Sequence, residues 1–248
     1  MYNPRNDYMG GNPYGRGNSF GTRYQFQTMP YGYEGAQTQA SGLMAKVMGL
    51  LSFSFIFAAL GAFVGLGLGG GSYLVVVIAG FIVLLALMAL IQKPGINLFL
   101  LYLFTFLEGM GLGPLVGVYL NNPYLTPILA QAFLITAVTS LALGLYAWTT
   151  KRDFTHLGDY LFFGVILLIV ASLINIFFHS TLFVLIICIA GIAIFSGYVL
   201  FYIQRAKYMA DTMPNAIGLT VSLFLTVLNL FLYILQLLSI LQGGRDRR

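Results

Sequence analysis

The chain has 248 residues, of which 59% are hydrophobic and 8% charged, with a formal net charge of +5 and a mean hydropathy of +0.88. A water-soluble domain carries about 25% charged residues, so the charges here are too few to cover a globular surface, and an integral membrane protein remains. The single Cys188 excludes a secreted disulfide scaffold, and the sparse Lys and Arg exclude a nucleic-acid-binding stripe.

Residues 1–42 hold Tyr2, Tyr8, Tyr14, Phe20, Tyr24, Phe26, Tyr31 and Tyr33 among Gly, Asn, Arg and Gln, with almost no aliphatic side chains. Such a stretch buries too little apolar area to offset its ordering entropy, so a disordered tail is expected. It lacks the apolar core of a signal peptide, which leaves the first span uncleaved. Two readings stay open: a soluble leader without a role, or a flexible cytosolic handle for a partner, with Tyr2, Tyr8, Tyr14, Tyr24, Tyr31 and Tyr33 as its contact points.

A helix crossing the hydrocarbon needs about 20 apolar residues. Seven stretches satisfy this, near 43–68, 73–91, 96–120, 127–149, 159–178, 181–203 and 216–241. Their continuous apolar runs are twice the length of an outer-membrane barrel strand. The expectation is an all-α seven-helix transmembrane domain over 43–241, closed by a short basic tail at 242–248. With the N-terminus inside, Arg5, Arg16, Arg23, Lys46, Lys93, Lys151, Arg152, Arg205 and Lys207 are cytoplasmic, nine of the twelve basic residues. That asymmetry predicts N-in, C-out.

The first span carries Gly61, Gly65 and Gly69, and the third Gly109, Gly113 and Gly117. Spacing by four aligns each set on one helix face, which is how membrane helices approach closely. Packing within one bundle is the expected use, with homodimerisation as the alternative. Glu108 is the one acidic or basic residue deep inside a span, and Pro114 follows six residues later. An intramembrane acid is a functional hypothesis by default. Here it is either a protonatable group on an ion path or a neutral carboxyl bonded to Asn175, Asn229 or Thr226. Asn175, Asn229, Gln131 and Gln236 are expected to make hydrogen bonds between helices. Tyr119, Tyr124, Tyr146 and Trp148 suit an interfacial aromatic belt.

No catalytic constellation emerges, so an enzyme is not expected, nor a cofactor or a resident metal. His156 and His179 fall on opposite membrane faces, and there is no carboxylate pair, phosphate loop or Cys pair.

The run Thr149-Thr150-Lys151-Arg152-Asp153-Phe154-Thr155-His156-Leu157-Gly158, with Ser172-Leu173-Ile174-Asn175-Ile176-Phe177 closing the next span, resembles the central signature of the Bax-inhibitor family. Glu108-Gly109-Met110-Gly111-Leu112-Gly113-Pro114 and Val221-Ser222-Leu223-Phe224-Leu225-Thr226-Val227-Leu228-Asn229-Leu230-Phe231 add to the resemblance, which spans about residues 40–241. The chain is most similar to the bacterial YccA-like branch. The resemblance implies a seven-helix bundle of the Bax-inhibitor/YetJ type with the last helix central. It also implies two activities. Members like YetJ are pH-sensitive calcium leaks gated by two Asp residues, whose positions here read Tyr202 and Thr226. A phenol and a hydroxyl cannot share a proton near neutral pH as two carboxylates do. That leaves a leak of calcium or another cation through Glu108, lined by Tyr202 and Thr226, with Asn175 and Asn229 as further pathway candidates. YccA-like members bind the membrane AAA protease FtsH and modulate it through the cytosolic N-terminal tail. The expected function is therefore a bacterial inner-membrane protein acting on FtsH, with the cation leak as the alternative.

Overall fold

A computed structural model describes residues 33–178 and 180–243 of the protein. Seven helices follow one another: α1 (Tyr33–Gly65), α2 (Gly70–Leu90), α3 (Ile96–Leu120), α4 (Thr126–Thr149), α5 (Leu157–Phe178), α6 (Thr181–Ala206) and α7 (Met213–Gly243). All seven are long and apolar enough to cross a membrane.

The largest departure from the expected boundaries is at the start. The first span was expected from residue 43, whereas α1 begins ten residues earlier, at Tyr33. The physical reason lies in its next turns. Ala40 is buried, and Leu43 and Val47 are fully enclosed in one cluster with Ile203, Ala206, Met209 and Ile217. A side chain at Gly42 would run into the Asp211 carboxylate, and Lys46 pairs with that carboxylate at 2.9 Å. Residues 33–42 are thus helical, and the helix docks on the α6–α7 connection at Gly42 and Lys46. At the other end α7 runs on to Gly243, two residues beyond the expected stop. Tyr2, Tyr8, Tyr14, Tyr24 and Tyr31 lie outside the described residues, as do 244–248 of the basic tail.

The breaks between helices are chemically specified. Pro94 cannot continue α2, and Gly95 takes φ = 81°, a left-handed conformation that glycine adopts without a Cβ clash. The buried Asn97 then locks the turn: its amide donates to the Ile91 carbonyl at 2.8 Å, and its oxygen accepts from Leu98 N–H. Ser180 caps α6 through Phe183 N–H, and the Asn215 amide closes the α6–α7 connection on the Ala210 carbonyl.

α7 is the most buried helix and packs on α1, α3, α4 and α6, so the last helix is central. Phe104 and Phe224 are fully buried and meet edge-on with ring centres 6.2 Å apart. At the periphery α2 lies on α3 alone and α5 on α6 alone. Apolar surface on these outer helices, such as Phe81, Phe162 and Leu167, faces outward, as lipid contact demands.

The two glycine rows meet each other. α1 and α3 run side by side in the same direction, with Ala58 beside Gly109 and Gly65 beside Gly113. A Cβ at Gly61, Gly65 or Gly109 would fall inside the carbonyl oxygen of Phe106, Met110 or Ala58 respectively, and one at Gly113 inside the backbone of Gly65. The backbones therefore touch without intervening side chains, the geometry small residues provide in membranes. Pro114 contributes to this contact. It leaves the Met110 carbonyl without its usual helical donor, and that carbonyl is the one Gly65 lies against. Gly117 is looser, with 3.4 Å from its Cβ position to the Leu66 carbonyl. The expected row of the first span ends short of Gly69, which has open space around it and lies beyond α1.

Candidate functional site

α7 carries Ser222, Thr226, Asn229, Tyr233 and Gln236, spaced by four, three, four and three residues, which is one helix face. At 1.5 Å per residue the row extends about 21 Å. Three of its members bond first to their own helix. Ser222 donates to the Gly218 carbonyl at 3.0 Å, Thr226 to the Ser222 carbonyl at 2.7 Å, and the Asn229 amide to the Leu225 carbonyl at 2.7 Å. These bonds use one donor of each side chain and leave oxygen acceptors along the face.

α6 supplies the opposing wall. Tyr202 lies beside Ser222 and stacks on Tyr198 with ring centres 5.5 Å apart. Phe195 stacks on Tyr233 at 5.7 Å, and the Tyr233 ring lies flat against Gly191, where any side chain would collide with it. Arg205 sits over the Phe201 ring at 5.8 Å, beyond Tyr202 toward the helix end. At the opposite end of the row a cleft of about 330 Å³ opens between α5, α6 and α7, bordered by Ser172, Asn175, Asn229, Tyr233 and Gln236.

Four of the expected pathway residues, Tyr202, Thr226, Asn229 and Asn175, therefore lie along one seam. Glu108 does not join them. It is half-buried in α3 with its carboxylate toward α2, 3.6 Å from the Cβ position of Gly80. Among the described residues it makes no hydrogen bond or ion pair, so the expected bond to Asn175, Asn229 or Thr226 is not formed. The cause is topological: α5 touches neither α2 nor α3, while Thr226 and the Asn229 amide are taken by α7 itself. Of the four amides expected to bridge helices, Gln131 does so, accepting from Gln242 at 2.8 Å. Asn229 bonds within its own helix, the buried Asn175 Oδ1 has no partner, and Gln236 is exposed beside the cleft. Of the expected belt residues, Tyr124 and Tyr146 are exposed, but Tyr119 is bonded to Ser239 at 2.6 Å and Trp148 is half-buried beneath Lys207.

Sequence reasoning passed over Gln204. It is buried at the end of α6, accepts from Phe154 N–H and donates to the Arg152 carbonyl. This side chain thereby fixes the α4–α5 connection to α6. Beside it, Asp153 accepts from both the N–H and the hydroxyl of Thr155, which hold its carboxyl below the usual carboxylate range. Lys207 donates to the Ala147 carbonyl at 2.9 Å and lies 5.5 Å from the Trp148 ring, and burial lowers its ammonium pKa. Among the described residues no group of three His, Cys, Asp or Glu could hold a metal.

The profile of the family described as "Inhibitor of apoptosis-promoting Bax1" matches residues 40–243, nearly the whole described chain. The chain belongs to the Bax-inhibitor family. Similar relatives within reach of that match include a membrane protein of Vibrio cholerae, 34% identical over 79% of this chain and 87% of its own length. A Helicobacter pylori protein is 37% identical over 68% of this chain and 72% of its own. Protein lifeguard 4 of the mouse is 31% identical over 58% of each chain. The Bax-inhibitor match begins at Ala40, which is buried.

Proposed function

We propose that this Bax-inhibitor-family protein sits in a bacterial inner membrane with its N-terminus in the cytoplasm, close to the YccA-like branch. Its role in this reading is to bind and modulate a membrane AAA protease of the FtsH type, which takes hold of the N-terminal tail. The observation that supports it is the way α1 is fixed. The helix runs without a break from Tyr33 into a contact with α3 in which backbone meets backbone at Gly61, Gly65 and Gly109. A protease pulling on residues 1–32 loads α1 along its axis. Sliding α1 by one residue drives side chains into the α3 carbonyls, so the body resists extraction and the protease stays occupied. The test is copurification of the protease with the full chain and with a chain lacking residues 1–32. The cut falls there because a longer deletion removes Ala40 and the helix start. Recovery with the full chain and loss on truncation is expected; no protease with either chain refutes the reading.

A second reading, a leak of calcium or another cation, is favoured by the polar row on α7 and its Tyr202 contact. In proteoliposomes, Thr226→Val and Asn229→Leu should then suppress flux while Glu108→Gln leaves it, because Glu108 faces α2. Flux lost with Glu108→Gln alone would move the path to the α2–α3 side.

A further inference from the structure

The cleft between α5, α6 and α7 is polar where its surroundings are not. Asn175 Oδ1 is buried and unpartnered, and among the described residues Ser172, Tyr233 and Gln236 make no hydrogen bond either. Inside a bilayer no water at the lipid face offsets such groups, and each unmade bond to a buried acceptor is costly. Ser172 and Gln236 are exposed, so the cleft opens at the protein's outer surface, in the gap left because α5 leans on α6 alone.

Depth narrows the chemistry of an occupant. The 22 residues of α5 span about 33 Å, close to the hydrocarbon thickness of about 30 Å. Ser172 and Asn175 lie roughly 7–11 Å from the middle of that helix, in the half of the membrane that contains the α5–α6 connection. This is below the glycerol-ester level of a phospholipid, where a phosphate would have to shed its hydration. The cleft also holds no charged side chain with which to compensate one. A neutral hydroxyl suits it: a donor for Asn175 Oδ1 and an acceptor for the Tyr233 hydroxyl or the Gln236 amide. Its volume matches about ten waters, room for a glycerol head with the first carbons of its chains. The rim beside it is apolar and outward-facing, with Leu173, Ile176, Phe177 and Leu182 exposed.

We propose that this cleft is a binding site for an uncharged, hydroxyl-bearing lipid of the diacylglycerol type, whose free hydroxyl bonds Asn175 while its chains follow the exposed face of α5. The site does not rest on the protease reading, and it occupies the end of the polar row on which the cation reading draws, at Asn175 and Asn229. The test uses the full chain in detergent, with diacylglycerol as probe and triacylglycerol, which lacks the hydroxyl, as control. Binding is read by native mass spectrometry and by thermal unfolding. Diacylglycerol should be retained at least tenfold more than triacylglycerol and should raise Tm. Asn175→Leu should abolish that preference without lowering the Tm of the lipid-free protein, since it removes an unpartnered buried acceptor. Tyr233→Phe, which keeps the ring against Gly191, serves as the second variant and should weaken retention several-fold. Equal retention of the two lipids, or full retention by both variants, overturns the proposal. Entry of a small water-soluble thiol reagent at Ser172→Cys that diacylglycerol does not slow would also overturn it, showing a water-filled vestibule instead.

Discussion

Gln204 holds two backbone groups of the α4–α5 connection, residues 150–156, with one side chain, and it does so while buried. Replacing it by Leu leaves Phe154 N–H and the Arg152 carbonyl without those partners, at a cost of about 1–3 kcal/mol for each group that stays buried. Gln204→Leu should therefore lower Tm and speed trypsin cleavage after Lys151 and Arg152, whereas an exposed change such as Tyr124→Phe should do neither. Next to it, Lys207 offers a spectroscopic readout, because Trp148 is the chain's one tryptophan and lies 5.5 Å from the ammonium. Burial lowers the Lys207 pKa, so the folded protein disfavours the charged form. The sign follows. Below the folded pKa the charge weighs against the fold, and stability is regained as pH rises from the folded toward the unfolded value. Trp148 emission should shift at a pH below the ordinary lysine range of about 10.4, and Lys207→Met should abolish the step. A step unchanged in Lys207→Met would assign it to another group. Neither residue stood out in the sequence as a site, since a Gln and a Lys at a helix end read as solvated polar residues until the fold brings residues 147–154 beside them.

At the scale of the helix, the α1–α3 contact divides the glycines into those that must lack a Cβ and those that need not. Gly109→Ala puts a methyl into the Ala58 carbonyl, and both partners are backbone, so neither can rotate away. Overpacking of this kind costs about 1–3 kcal/mol or more. Gly144 in α4 has open space around its Cβ position, and there alanine gains helix propensity of about 1 kcal/mol. Thermal unfolding should therefore rank Gly109→Ala and Gly61→Ala well below the parent, Gly117→Ala near it, and Gly144→Ala at or above it. An equal effect across all four would mean that helix propensity, and not the interlock, sets stability. The spans themselves were legible because length and hydropathy decide them, and six of the seven starts fall within three residues of expectation. The helix start at Tyr33 was missed because residues 33–42 are polar by composition, although the apolar span itself begins at Ala40. The contact of Gly42 and Lys46 with Asp211 on the α6–α7 connection is one no local pattern encodes. The spacing of the glycines showed that close approach was needed, but not that the two rows would serve each other.

For the molecule as a whole, the contacts of Lys46 with Asp211, Lys207 with Ala147 and Gln204 with Arg152 gather at one end of the bundle. That end joins the early part of α1 and the starts of α5 and α7 to the ends of α4 and α6, and Lys46, Lys151, Arg152, Arg205 and Lys207 lie there. The seam of Tyr202, Thr226, Asn229 and Asn175 crosses from this end toward the other. It was only half legible: the residue types marked polar positions in apolar helices, but the face each occupies separates Glu108 from the rest. The proposed orientation puts this end in the cytoplasm, as the positive-inside rule expects, and the protease reading depends on it. Cys188 is the single cysteine and is fully buried, so a Cys188→Ala chain provides a clean background for surface thiols. In intact cells a membrane-impermeant maleimide should label Gly71→Cys, in the exposed first turn of α2. It should reach Lys151→Cys only after permeabilisation. The reverse pattern would put residues 1–32 outside the cell, beyond the reach of a cytosolic AAA ring, and tail capture would fail. The lipid cleft would survive the reversal, because its depth is set by α5 and not by which side is in.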